Sequence, residues 1–194
     1  MTFNEWRNKY SHMTYAEQIE YHNVIEEQYP EQQHYTYENV KEVLSNGIRV
    51  LEFGCWKADM AARAISEYQI KDWKGIEICT SAILKTRCTA ENFKYIVPED
   101  FNWFNTTVRP DCDVIIATHF IEHLSGEHFE QLADYCKGVP LIYFESPLTN
   151  EGENWEGYLG THKLPYGWDK INDIMKSKGY FIKSDFTEGK IYSL

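Results

Sequence analysis

The chain has 194 residues, 43% of them hydrophobic and 25% charged, which suits one globular domain with a sizeable core. A formal net charge of −11 argues against a broad phosphate-binding face, so no nucleic-acid partner is expected. The five cysteines are scattered and form no Cys-x-x-Cys, which favours reduced thiols in a cytoplasmic protein over a disulfide or zinc framework.

Residues 1–46 are rich in tyrosine, glutamate and glutamine, with no basic-then-apolar leader. No apolar run in the chain reaches membrane-spanning length, so no membrane partner is expected. Thr14-Tyr15-Ala16-Glu17 has capping-box form and predicts a helix running to about Tyr29, before Pro30. A second helix is predicted from about Tyr37, with Val40, Val43 and Leu44 on one face, ending at Asn46-Gly47. Two readings of this segment stay open. It covers the sheet edge, or it forms a lid whose Tyr10, Tyr15 and Tyr21 close over a ligand.

Val50 to Phe53 read as a buried strand, Gly54 as a turn, and about Ala58 to Tyr68 as a helix with Ala61, Ala64, Ile65 and Tyr68 on one face. Strand, glycine turn and helix open a nucleotide-binding α/β unit. Glu52 near the strand end disfavours a pyrophosphate and suits a positively charged amino-acid moiety. A second strand, Trp73 to Ile78, carries Glu77, which follows Glu52 at close to the roughly 20-residue spacing at which an acid reaches a ribose. Phe93 to Val97 predict a third strand, followed by Pro98-Glu99-Asp100-Phe101. Asp113 to Thr118 is the near-continuous apolar run of a strand buried on both faces. It leads into His119-Phe120-Ile121-Glu122-His123-Leu124 and a helix with Phe129, Leu132, Ala133 and Cys136 inward.

Val139 to Glu145 predict the fifth strand. Residues 148–166 form a long loop of the kind that binds ligands, holding Trp155, Tyr158 and His162. A last helix over Pro165 to Lys178 turns Ile171, Ile174 and Met175 inward, and 179–194 read as a terminal hairpin around Thr187-Glu188-Gly189.

Glu52-Phe53-Gly54-Cys55-Trp56-Lys57-Ala58 resembles motif I of the class I S-adenosylmethionine (SAM)-dependent methyltransferases, Glu/Asp-x-Gly-x-Gly-x-Gly. Trp56 and Ala58 stand where the second and third glycines would be, and the form is similar to that of the macrocin O-methyltransferase group. Gly75 to Ile83 resembles the second motif, and Asp113 to Leu124 resembles motif IV with its Glu-His-Leu. The resemblance covers about residues 36–194. It implies a Rossmann-like α/β fold: a seven-stranded, mostly parallel sheet in the order 3-2-1-4-5-7-6 with the last strand antiparallel. It also implies one domain over 1–194, with a helical cap or lid at 1–46 and a SAM-binding core at 47–194.

SAM, with S-adenosylhomocysteine (SAH) as product, is the implied cofactor. The positions implied to meet it are Glu52, Gly54, Cys55, Trp56, Glu77, Ile78, Asp100, Phe101, Thr118 and His119. Glu77 is expected to accept both ribose hydroxyls, and the Trp56 backbone to pass the methionine part. His119 is expected to line the methyl group, and His123 or His162 to serve as base, since imidazole titrates near neutrality. No Asn/Asp-Pro-Pro-Tyr/Phe follows the fourth strand, which disfavours amino-methylation of bases. The expected acceptor is a small molecule bearing a hydroxyl, amine or carboxyl. Two rivals stay open: a chain that binds SAM or SAH without catalysis, and a zinc hydrolase built on His119-x-x-Glu122-His123. The latter needs both histidines on one face of a helix. No metal is expected.

Overall fold

The computed structural model describes residues 16–17, 20–21, 23–24, 35–97, 111–148 and 163–194. Strands β1 (Arg49–Phe53), β2 (Asp72–Ile76), β3 (Phe93–Ile96), β4 (Val114–Thr118), β5 (Leu141–Glu145), β6 (Phe181–Asp185) and β7 (Gly189–Ser193) form one sheet in the order 3-2-1-4-5-7-6. The pairs from β3 through β5 are parallel, and β7 runs antiparallel to both β5 and β6. This is the expected order and the expected odd strand.

Helices lie on both faces because successive strand residues point to opposite sides. Leu51, Phe53, Ile115, Ala117, Ile142 and Phe144 face α4 (Gly126–Tyr135) and α5 (Trp168–Ser177), which contribute Phe129, Leu132, Trp168, Ile171 and Met175. Val50, Trp73, Val114, Ile116 and Ile191 face α1 (Tyr37–Val40) and α2 (Asp59–Glu67), which contribute Val40, Met60, Ala61 and Ala64. Each such large apolar side chain, fully buried, stabilises the fold by about 1.5–3 kcal/mol. Helix α1 continues as a 3-10 turn over Lys41–Val43, and a short α3 (Thr80–Leu84) follows β2. Ala16, Glu17, Glu20, Tyr21, Asn23 and Val24 are helical, as the first predicted helix requires. Its capping Thr14 lies outside the described residues.

A parallel arrangement sends the carboxyl ends of β1, β2, β4 and β5 to one edge. Registers Glu52↔Gly75, Glu52↔Ile116 and Thr118↔Glu145 set residues far apart in sequence side by side there. At the opposite edge Arg49 clamps β1 to β4: its Nε and Nη2 donate to the Asp113 carboxylate at 3.1 and 2.9 Å.

Candidate functional site

The first turn at this edge follows β1. Gly54, Trp56 and Ala58 all sit in the left-handed region, at φ 70°, 49° and 60°. These are the three positions where the motif I pattern carries glycine. Left-handed backbone costs a residue with a Cβ about 1–2 kcal/mol, so two residues of this turn are held in strain. Several bonds hold them. Gly54 N–H donates to Ile76 O at 2.9 Å, Ala58 N–H to Cys55 O at 2.7 Å, and Tyr95 O–H to Trp56 O at 3.1 Å. A Cβ on Gly54 would crowd Phe120 at 3.1 Å, in addition to the strain of its left-handed backbone. Cys55 turns away from the edge and packs its sulfur over Gly75 of β2, where any Cβ would overlap it.

Glu77, just past β2, is buried and organises this turn. One carboxylate oxygen accepts the Trp56 N–H at 2.8 Å, and the other accepts the N–H groups of Ile78 and Cys79 at 2.8 and 2.7 Å. Burial pushes its proton affinity up while the three N–H donors pull it back, and burial prevails. A carboxylate offers about four lone-pair sites, so three are engaged and roughly one is left for a ligand. The acid expected to meet the ribose hydroxyls thus also holds the turn. Glu52 lies deeper. Its carboxyl accepts the Trp73 indole N–H at 2.8 Å, and burial lifts its pKa to about 8.

The second turn follows β4. Thr118 is buried, and His119 adopts φ 48° with its N–H on Glu145 O at 2.7 Å. Ile121–His123 form a single 3-10 turn. His119 stands outside it, so the one-helix arrangement of both histidines that a zinc hydrolase needs is not formed. Among the described residues no group of three His, Cys, Asp or Glu could hold a metal ion. His123 is partly buried at the end of that turn.

Glu122, 1% exposed, has one carboxylate oxygen on Ser146 Oγ at 2.8 Å, and the other lies 3.4 Å from His119 Nδ1. Burial alone would lower the His119 pKa. The contact with Glu122 and the charges of Glu122, Glu145 and Glu188 outweigh it, and the net direction is up. The Glu122 carbonyl accepts the N–H groups of Lys163 and Leu164, which fixes the far end of the long loop here. His162, Asp100 and Phe101, and Trp155 and Tyr158 of that loop, lie outside the described residues.

Two features were not foreseen. Glu145, at the end of β5, accepts Thr36 N–H at 3.0 Å and Thr36 O–H at 2.8 Å, and so anchors the start of α1 at the site. Its signal, an acid ending an apolar strand, is the one that singled out Glu77. A cleft of about 420 Å³ opens beside it, lined by Thr36, Asn39, Asp185, Phe186, Thr187 and Glu188. The N-terminal helix meets this edge by a hydrogen bond on one flank and acts by charge on the other. Asn23 Oδ1 accepts from Cys79 Sγ at 3.0 Å beyond β2, and Glu17 acts on the Lys163 ammonium beyond β5.

A sulfonium cofactor suits this donor set. The buried carboxyls of Glu52 and Glu77 lie by the first turn, where a cationic group would favour the ionised form of Glu52 that burial otherwise opposes and a pyrophosphate would not.

No protein-family model matches the chain, and no curated protein matches it in sequence. Solved structures do. A putative methyltransferase from Haloferax volcanii, in complex with the Trm112 methyltransferase activator, has TM-score 0.63 and 11% identity, over 85% of this chain and 74% of that one. A SAM-dependent methyltransferase from Archaeoglobus fulgidus has TM-score 0.60 and 21% identity, over 83% and 75%. A TehB-like SAM-dependent methyltransferase from Corynebacterium glutamicum has TM-score 0.59 and 11% identity, over 93% and 99%. The chain has the fold of the class I SAM-dependent methyltransferases.

Proposed function

We propose that this chain is a SAM-dependent methyltransferase acting on a small-molecule acceptor at oxygen, nitrogen or a carboxyl. The observation that carries the reading is the first turn. Trp56 and Ala58 keep the backbone of the glycines they replace, at a cost in strain, and Glu77 holds that backbone in place. Strain kept against the cost of left-handed sterics is the mark of a working site.

Glu52, Gly54, Cys55, Trp56, Glu77, Ile78, Thr118 and His119, with Asp100 and Phe101, are the proposed cofactor-binding positions. Of these, Gly54 and Trp56 act through backbone, and Cys55 by shaping the turn against β2. The cofactor supplies an electrophilic methyl group on a sulfonium. The chain's own contribution is alignment, exclusion of water and removal of a proton. Glu52 presents a carboxyl that ionises to meet an ammonium, with Trp73 steadying it. Residues 1–46 serve as the lid on a core of residues 47–194, in one domain. The hydrogen bond between Asn23 and Cys79 at this edge supports that role. The proposed acceptor chemistry involves His119, with His123 and His162 as the further histidine candidates for a base.

Calorimetry with SAH tests the cofactor, and transfer of labelled methyl from SAM to a panel of small amines, carboxylates and phenols tests the reaction. Binding followed by transfer is expected. A folded protein that ignores SAH overturns the reading, and one that binds SAH yet methylates nothing is a cofactor-binding protein only.

A further inference from the structure

The second turn contains more chemistry than a wall for a methyl group. His119, Glu122 and Ser146 come from the loop after β4, the 3-10 turn and the end of β5, and they form one chain of contacts at the carboxyl edge. Ser146 O–H donates to Glu122 at 2.8 Å, and the other Glu122 oxygen faces His119 Nδ1 at 3.4 Å. The Glu122 side chain is sealed from water, whereas the His119 side chain keeps 20% of its surface exposed. His119 is held there in left-handed backbone, with its N–H on Glu145 O. A buried acid behind a partly exposed imidazole is the arrangement by which proteins choose which ring nitrogen carries the proton.

We infer that Glu122 is the positioning residue of a proton-accepting His119: it keeps the imidazole proton on Nδ1, Ser146 keeps Glu122 in place, and Nε2 takes the acceptor's proton. This rests on the methyltransferase reading for the identity of the proton donor. It moves the base from His123 or His162 to His119. As the lone pair of the acceptor's O–H or N–H bonds to the methyl carbon, the C–S bonding pair goes to sulfur. The acceptor's proton then passes to Nε2, and from His119 to solvent.

Among the described residues, Glu145 from β5 and Glu188 from the β6–β7 turn also act on His119 by charge. All three acids favour the imidazolium that proton uptake creates. At 3.4 Å the His119 Nδ1–Glu122 Oε1 approach is an electrostatic contact short of a hydrogen bond, and the inference requires it to tighten in the reacting complex, as such contacts do.

The test is a nitrogen-15 NMR titration of the His119 ring in the full-length chain with SAH as the probe. In the wild type the neutral ring should carry its proton on Nδ1 and titrate above an ordinary histidine. Glu122→Gln should reduce the proton affinity of His119 by roughly tenfold and scramble the tautomer. Glu122→Asp should restore most of both, and Ser146→Ala should shift them in the same direction by less. A general structural role would not produce that ordering. A wild-type ring protonated on Nε2, or a folded Glu122→Gln protein with unaltered tautomer and titration, overturns the inference. Should Glu122→Gln not fold, the wild-type tautomer and the Ser146→Ala shift decide. Calorimetry with SAH on the same wild-type sample separates the two claims: no SAH binding removes the methyltransferase reading, whatever the ring shows.

Discussion

The turns after β1 and β4 are neighbours at one edge, each holding at least one non-glycine residue in left-handed backbone, and each is governed by a buried glutamate. They differ in what the glutamate holds. Glu77 accepts three backbone N–H groups, and backbone cannot titrate or swing away. Glu122 faces a hydroxyl that can rotate and an imidazole that titrates. The first turn is therefore a fixed cradle and the second a responsive one. Phe120 joins them, since it is the side chain that a Cβ on Gly54 would crowd.

Breaking the cradle should have the largest effect. Glu77→Ala strands one buried and two part-buried N–H donors, so stability should fall by about 2–4 kcal/mol. In whatever protein still folds, SAH affinity should fall by about 1–3 kcal/mol. Thermal melts and calorimetry check both, and an undisturbed melt would show that water, not Glu77, satisfies the turn.

Ala58→Val places a β-branched residue in buried left-handed backbone and should cost about 2 kcal/mol or more. Ala58→Gly relieves the strain but loosens the unfolded chain and deletes a buried methyl, so the net change should stay within about 1 kcal/mol. Denaturant titration separates the pair, and equal costs for valine and glycine would remove the strain argument.

Acidity sharpens the contrast. The folded pKa of Glu52, about 8, lies above its ordinary value of 4.5. Its stabilisation is therefore complete below about 4.5 and is lost as pH rises through about 8. Glu52→Gln, which can still accept the Trp73 indole, should equal the wild type near pH 5 and melt higher at pH 9. A wild-type advantage at pH 9 would sink that assignment.

The smallest effect belongs to His119. Its folded pKa is raised above 6.5, so the pairing with Glu122 contributes fully below about that pH and fades as pH rises through the raised value. The melting difference between wild type and His119→Ala should narrow on going from pH 6 to pH 9. A difference independent of pH would mean that His119 packs and does not pair.

Much of this was legible from residue order alone. Alternation of apolar strands with one-faced helices implies a parallel sheet, and the sheet dictates which ends share an edge. Motif I was readable through Glu52 and Gly54, but the left-handed backbone at Trp56 and Ala58 was not, because neither residue favours it. Glu77 was found by spacing, yet its three N–H partners depend on how tightly the turn folds back. Glu122 was named in the motif over 119–124, but its part beside His119 was not readable there. Its burial and its reach to Ser146 are tertiary facts. Glu145 ended an apolar strand as plainly as Glu77 did, and its hold on Thr36 spans 109 positions, beyond any local pattern.

The place of β7 has a consequence for the order of assembly. It follows β6 in the chain yet lies between β5 and β6, so β6 has nothing to pair with until β7 is made. The floor of the edge also waits for it, because Glu145 aligns with Gly189 and Ser146 N–H reaches Glu188 O at 2.8 Å. Sequence-distant pairings of this kind are closed late and slowly in folding. On the ribosome, strands β1 to β5 could therefore pair while the β5 flank stood open as a sticky margin, and that interval is when a nascent chain of this design most needs shielding.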